Sequence, residues 1–346
     1  MSSPWCSQHP RSSPSQDLRS SPERKTVMTL ATAPLTSPSP ALATLSRSGL
    51  SIGVEFPLDN DFARQGRAKS STQFGIPDLT HHRRRAELAD QLGFRALWLR
   101  DVPLWVPAFG DAGQVFDPFP YLGYLAGVTD SILLGTAAVV LPLRHPLHVA
   151  KMAASIDQLS GGRLILGVAS GDRPIEYPAF DADFESRGER FRSSVDTIRT
   201  AWRDSSDPED TVKVLPPPAQ NPIPLVAVGR AQQTTDWIAS TMDGYMTYHR
   251  PGGLMKPVVN RWNHAVPDGQ GKPLLTTMLV DLAEDPGAPP EPIRFGARLG
   301  RNSLVRYLGE LEESGVGHVA LNFRPSTRPI EDALEEVAKH VLPAFS

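Results

Sequence analysis

The sequence predicts one (β/α)8 barrel behind an N-terminal tail, and three observations carry that prediction. Apolar strand-like runs alternate with amphipathic helical stretches eight times from about residue 50 onward. Several of those runs, such as Ile132–Leu141 and Arg163–Ala169, are almost uninterrupted and rich in β-branched residues; strands of a parallel sheet covered on both faces read this way. No GxGxxG follows any strand, which leaves a dinucleotide-binding doubly wound sheet as the weaker alternative. The folded part, about 296 residues, lies within the usual size of such a barrel.

The elements follow in order. Residues 1–48 are dominated by Ser and Pro with no periodic apolar pattern. Such a segment buries too little surface to offset its ordering entropy, so it is expected to be disordered, with the barrel occupying 49–346. Deleting residues 1–45 should then leave stability unchanged. Ser51–Phe56 is the first strand, and Asp78 caps a helix that runs to Leu92 and stops at Gly93. Arg95–Leu99 is the second strand, followed by a helix from Asp117-Pro118 to about Thr129. Ile132–Leu141 is the third. Pro146 opens the next helix, whose apolar face repeats through Val149, Met152, Ile156 and Leu159 before Ser160-Gly161-Gly162 ends it. Arg163–Ala169 is the fourth strand and Arg187–Trp202 its helix. Strands at Pro224–Val228, Gly244–Tyr248, Leu274–Asp281 and His318–Asn322 complete the eight. They alternate with helices at Gln232–Met242, Leu254–Trp262, Asn302–Glu313 and Ile330–His340.

Composition excludes several function classes. The net charge is −3 with both signs mixed, which argues against nucleic acid or a membrane surface as partner. No apolar run is long enough to span a bilayer. The single cysteine, Cys6, excludes an internal disulfide framework and fits a reducing cytoplasm.

Catalytic residues of a barrel gather at the C-terminal ends of its strands. Those ends are Glu55–Asp59, Arg100–Trp105, Pro142–His145, Ser170–Tyr177, Gly229–Gln233, Tyr248–Arg250, Asp281–Asp285 and Asn322–Arg324. They contain no HxH, no HExxH and no GxSxG, so neither a catalytic metal nor an acyl-enzyme is expected. Ser170-Gly171 and Gly229-Arg230 instead offer free backbone N–H groups beside Arg173 and Arg230, a setting suited to a phosphate. The acidic run Asp281–Asp285 would repel one, which locates an anion near strands four and five.

The run LGTAAVVLPLRHPLHVAKMAASIDQLSGGRLILGVASG, with RGERF at Arg187–Phe191 and PIPLVAVGRAQQTTDWIASTMDG, resembles the luciferase-like family of flavin-dependent oxidoreductases. The resemblance extends from Leu50 to Phe345. It implies a bacterial-luciferase-like (β/α)8 barrel that binds FMN, or the deazaflavin F420, at the strand ends. By position, Pro142, Arg144 and His145 are expected to line the flavin, with His145 at the reacting centre or, alternatively, capping the helix it precedes. Ser170, Gly171, Tyr177, Gly229, Arg230 and Ala231 are expected around the cofactor, and Arg187 and Arg190 in structural roles. Bacterial luciferases carry a histidine just after strand two, whereas this chain reads Leu99-Arg100-Asp101-Val102, so Asp101 becomes a candidate acid or base. His249 is a weaker substitute. The resemblance implies a monooxygenase passing one atom of O2 to a small organic substrate, with electrons from a separate flavin reductase. Alternatives are F420-dependent hydride transfer and a non-catalytic flavin-binding barrel. A homodimer through the helix Pro118–Thr129 is also expected.

Overall fold

A computed structural model describes residues 39–45, 49–58, 79–106, 115–204, 213–268 and 270–345. The strands are β1 (Ser51–Phe56), β2 (Ala96–Leu99), β3 (Leu133–Thr136), β4 (Val139–Val140), β5 (Leu164–Ala169), β6 (Leu225–Val228), β7 (Gly244–Tyr248), β8 (Leu274–Leu282), β9 (Glu291–Ile293), β10 (Gly296–Leu299) and β11 (His318–Asn322). The helices are α1 (Pro40–Ala43), α2 (His82–Gln91), α3 (Pro118–Val128), α4 (Pro146–Leu159), α5 (Arg187–Asp204), α6 (Thr235–Thr241), α7 (Lys256–Ala265), α8 (Arg301–Glu313) and α9 (Ile330–His340). Parallel pairing runs β1-β2-β3-β5-β6-β7-β8-β11, and β11 returns to β1 with Ser51 opposite His318, so the barrel closes. Helices α2 to α9 pack their apolar stripes on the outside of the sheet; in α9, Ile330, Ala333, Leu334 and Val337 are buried.

The third strand departs from its expected single run. It breaks into β3 and β4 around a cis Ala137–Ala138 peptide, and both pieces pair with β5. The helix expected from Gln232 starts later, because Ala231 and Gln232 have left-handed backbones and Thr234 is the cap, accepting from the Trp237 amide at 3.2 Å. Between β8 and α8 lies a hairpin that no sequence signal announced, β9 antiparallel to β10 and β10 parallel to β8. Asp78, the expected cap of α2, lies outside the described residues.

Side chains fill the barrel from inside. Trp98 is fully buried at its centre, and a Cβ on Gly135 of the adjacent strand would collide with the indole. Packing also begins earlier in the chain than residue 49. Ser39 caps α1 through the Leu42 amide, and Leu42 and Leu45 are fully buried. They cluster with Ala96, Trp98, Leu133, Ile165, Val226, Met246, Leu275 and Ala320, mostly from the N-terminal halves of the strands. Residues 39–45 thus plug the barrel at the end opposite the C-terminal ends of its strands, because the interior there is apolar and otherwise open to water. The expected disorder of 1–38 concerns residues outside those described.

A buried polar chain ties this plug to the barrel. The Trp98 indole N–H donates to His318 Nε2 at 2.9 Å, and Ser51 Oγ lies 2.7 Å from His318 Nδ1 and donates to the Leu45 carbonyl at 2.8 Å. With Nε2 accepting, the proton belongs on Nδ1 and the ring must be neutral. Burial, with the Arg95 charge adding to it, lowers the His318 pKa to about 3. The unfolded chain therefore takes up a proton near pH 6.5 that the folded chain refuses, so stability present above that pH is lost as the pH falls. The slope from this group approaches about 1.4 kcal/mol per pH unit, and His249, lowered to about 4 by burial, adds to it. Urea midpoints measured from pH 7.5 down to 5 should fall, and His318→Gln should flatten that fall while lowering stability overall. An equally steep profile in the variant would show that His318 is not its source.

Candidate functional site

The C-terminal ends of the strands surround a cavity of about 760 Å3. Ala137, Ala138 and Val140 form one apolar wall. Glu55 and Arg324 lie at the closure of the barrel: the Arg324 guanidinium is 3.2 Å from Glu55 Oε1, and Arg100 Nε is 3.5 Å from the same oxygen. Asn322 Oδ1 accepts from the Arg324 backbone and Nε, at 3.1 and 2.8 Å. Breaking so buried a pair leaves an uncompensated charge, so these groups hold the β1–β11 seam in a fixed geometry.

The loop after β6 is shaped for an anion. Gly229, Ala231 and Gln232 have φ of 63°, 46° and 61°, whereas Arg230 between them does not have a positive φ, and such alternation turns successive backbone N–H groups toward a common point. The amides of Arg230, Ala231 and Gln232, and the Arg230 guanidinium, donate to no group among the described residues. Gln233 braces this loop from behind, donating to the Gly188 and Ala231 carbonyls at 2.9 Å each while its own oxygen accepts from Arg192 Nε at 2.5 Å. Across the gap, the turn after β5 presents Ser170 and Gly171 to the cavity. Gly171 has φ of 75°, and a Cβ there would press on Val140 and the Tyr177 hydroxyl.

Of the residues the sequence singled out, Asp101, Ser170, Gly171, Gly229, Arg230 and Ala231 line the cavity together. Four do not. His145 is exposed at the start of α4, where its Nδ1 accepts from the Leu147 amide at 3.3 Å and its ring meets His148 edge-on. The cap position turns it away from the strand ends, so the capping alternative is the one its placement fits. Tyr177 is buried beneath the β5 turn, its hydroxyl donating to the Ser170 carbonyl, and burial pushes its pKa up to about 12; it supports Ser170 and Gly171 instead of reaching a phosphate. Pro142 sits in a tight turn, its carbonyl accepting from Arg190 at 3.1 Å, while Arg187 donates to the Phe184 carbonyl at 2.7 Å. Both arginines of RGERF thus act structurally. Arg144 spans Asp101 and Asp117, at 2.8 and 2.6 Å.

That bridge also changes the reading of Asp101. Its carboxylate accepts from Arg144 Nε at 3.0 Å and Nη2 at 2.8 Å and from the Val140 amide at 3.1 Å, which occupies it as an anchor and leaves it poorly suited to proton transfer. His249 is buried against the Tyr307 hydroxyl at 2.7 Å and does not line the cavity. The cavity residues given no role at the sequence level are Tyr248, Arg294 and Phe295, while Glu176, beside Tyr177 in the acidic and aromatic pair that the resemblance matches, takes the place in the cavity that Tyr177 does not. Glu176 is buried, 3.8 Å from Arg173; burial raises its carboxyl pKa, with the Arg173 charge opposing. Tyr248 and Glu176 lie in strand ends that the sequence marked, whereas nothing in the sequence marked the hairpin that carries Arg294 and Phe295.

The mouth of this closed (β/α)8 barrel combines an apolar wall with amides and a guanidinium that have no partner among the described residues, an arrangement able to accept an anionic group. The profile of one family, described as luciferase-like monooxygenase, matches residues 60–279, and the chain belongs to that family. It is 28% identical over 160 residues to the alkanal monooxygenase alpha chain of Photorhabdus luminescens, covering 44% of this chain and 43% of that one. The match therefore spans less than half of that relative's length. Two solved structures share the fold. The oxygenating constituent of 3,6-diketocamphane monooxygenase from Pseudomonas putida, in complex with FMN, superposes with a TM-score of 0.65 at 13% identity over 86% of this chain and 99% of that one. An F420-dependent secondary alcohol dehydrogenase does so with 0.67 at 15% identity, over 86% and 99%. No helix among the described residues is long and apolar enough to cross a membrane, and none of their His, Cys, Asp and Glu side chains form a metal-binding cluster of three or more.

Proposed function

We propose that this chain is the oxygenase component of a flavin-dependent monooxygenase, taking reduced FMN from a separate reductase and oxygenating a small organic substrate with O2. The observation that carries this reading is the loop after β6, with three amides and the Arg230 guanidinium lacking partners among the described residues at the edge of a cavity large enough for a flavin. A phosphate accepts from such a set without any group having to abandon an existing bond, so the residues fit FMN. Arg230, Ala231 and Gln232 would hold the phosphate, with Ser170 and Gly171 completing its surroundings, and Ala137, Ala138 and Val140 would provide the apolar wall. Reduced FMN, when bound, supplies the electrons that activate oxygen.

The protein's own share is binding, orientation and exclusion of water. Arg144 and Asp101 fix the β2–β4 side of the mouth. Glu176, with its proton affinity raised by burial, takes the proton-handling role first sought in His145 and Asp101. A homodimer formed through α3 fits the open space beside Gly123 and Gly127 and the half-exposed Phe116 and Tyr124, and a cytoplasmic location fits the single cysteine.

F420-dependent hydride transfer is the second reading, motivated by the absence of any histidine among the cavity-lining residues. Visible spectra of the purified protein, titrated separately with FMN and F420, decide between them. Perturbation and saturation by FMN, together with substrate-dependent oxygen uptake when a reductase supplies the flavin, is the expected result. Selective binding of F420 would replace the first reading by the second, and no response to either would overturn both.

A further inference from the structure

The cavity has a second recognition element opposite its apolar wall. In a closed eight-stranded barrel the third strand faces the seventh, so Ala137 and Ala138 after β3 look across at the β9–β10 hairpin that follows β8. The hairpin turn brings Phe295 against Tyr248 at the end of β7, with the two rings nearly parallel at 20° and their centroids 5.0 Å apart. Both rings stay open, 40% and 57% exposed, while lining the cavity. Phe295 holds a left-handed backbone at φ 56°, a conformation that costs a residue with a Cβ on the order of 1 kcal/mol and is kept where surrounding structure enforces it.

Arg294 lies over the Phe295 ring, its guanidinium 5.0 Å from the centroid, a cation–π contact that leaves its N–H groups available. The other cavity arginines are engaged: Arg100 and Arg324 with Glu55, Arg173 with Glu176, and Arg192 with Gln233. Arg230 is assigned to the cofactor. Arg294 is left lining the cavity with no carboxylate or carbonyl partner among the described residues. The Tyr248 pKa is raised, by desolvation at its hydroxyl end although the ring is 57% exposed and by the negative charges of Asp172 and Glu55, with Arg294 and Arg173 opposing. The lip thus offers a stacked aromatic pair with open ring surface, a guanidinium with no hydrogen-bond or ion-pair partner among the described residues, and a hydroxyl donor.

We infer that the Tyr248–Phe295–Arg294 lip is the substrate subsite and selects a planar organic anion, an aromatic carboxylate in the first instance, stacked on the ring pair with its charge on Arg294. A neutral aliphatic substrate would leave the guanidinium unused and two rings facing water, whereas a planar anion satisfies both. This assignment rests on the cavity being the active site of a flavin enzyme, as proposed above.

Calorimetric titration of the purified full-length protein tests it with three probes: benzoate, benzamide, which keeps the ring without the charge, and acetate, which keeps the charge without the ring. Benzoate should bind at least about tenfold more tightly than either comparator, since a charge-assisted hydrogen bond and a stacked ring each contribute roughly that factor. Arg294→Gln should weaken benzoate about tenfold and leave benzamide alone; Phe295→Leu should weaken both aromatic probes. FMN affinity should stay within about twofold of wild type in either variant. Benzoate binding no better than benzamide, or unchanged in Arg294→Gln, would overturn the inference. If FMN still binds in that case, the flavin reading survives; if benzoate binds selectively but no flavin does, it is the flavin reading that fails.

Discussion

Arg230→Ala is expected to weaken FMN binding by about ten- to a hundredfold while leaving riboflavin binding almost unchanged. The magnitude follows from losing a hydrogen bond between two charged groups, roughly 1.5 to 3 kcal/mol. The selectivity follows from the loop. The Arg230 side chain makes no hydrogen bond, ion pair or ring contact among the described residues, its backbone carbonyl accepts from the Gln233 amide at 2.7 Å, and the loop's shape is maintained by Gln233, Arg192 and Gly188. Truncating the side chain therefore removes a ligand contact without disturbing the fold around it. Riboflavin lacks the phosphate and has nothing to lose. Flavin fluorescence quenching with both ligands measures this directly, and equal losses for the two would refute the phosphate assignment.

Leu42→Ala should destabilise the protein by about 2 to 5 kcal/mol, the usual cost of emptying a fully buried leucine position. The sequence alone points the other way, to a dispensable segment through residue 45. In the structure, Leu42 and Leu45 are fully buried against the barrel interior, and the Leu45 carbonyl receives the Ser51 hydroxyl. Removing residues 1–45 should accordingly cost more than the point mutant, since it opens Trp98, Leu133, Ile165 and Val226 to water. Thermal melts of the wild type, Leu42→Ala and a variant lacking 1–45 give the comparison. Melting temperatures within a degree of each other would mean that the plug contributes nothing. FMN affinity in the folded fraction should be unaffected, because the plug and the cavity are at opposite ends of the barrel.

These two cases also separate what the residues alone could reveal from what they could not. Long apolar runs such as Leu164–Ala169 and the helical spacing of Val149 and Ile156 report their own burial, although Leu159 at the end of the same expected stripe is 70% exposed and the inner face is completed by Ala150, Ala153 and Ala154; with eight such pairs the barrel follows. The left-handed loop after β6 that we propose for the phosphate is legible for the same local reason: glycine beside arginine at a strand end. Leu42 and Leu45 were not, because two leucines in a Ser/Pro-rich stretch have no period, and only the barrel they plug gives them a place. Asp101 and His145 were read by chemical type, and type is silent about whether a carboxylate is already satisfied by Arg144 or an imidazole already caps a helix. Arg294 and Phe295 sit on a hairpin of three- and four-residue strands, below the length at which alternation can be seen.

The hairpin has a consequence for how the protein behaves at high concentration. Closing a barrel removes every free strand edge, and adding β9 and β10 to β8 creates one again, with β9 as the last strand of the ladder. An unpaired edge is a template for another chain. Here the edge strand is Glu-Pro-Ile, three residues long: Pro292 has no N–H to offer, Glu291 is exposed and charged, and the length supports little pairing. The fold thereby gains a lip over its mouth without exposing a surface on which copies of itself can zip together.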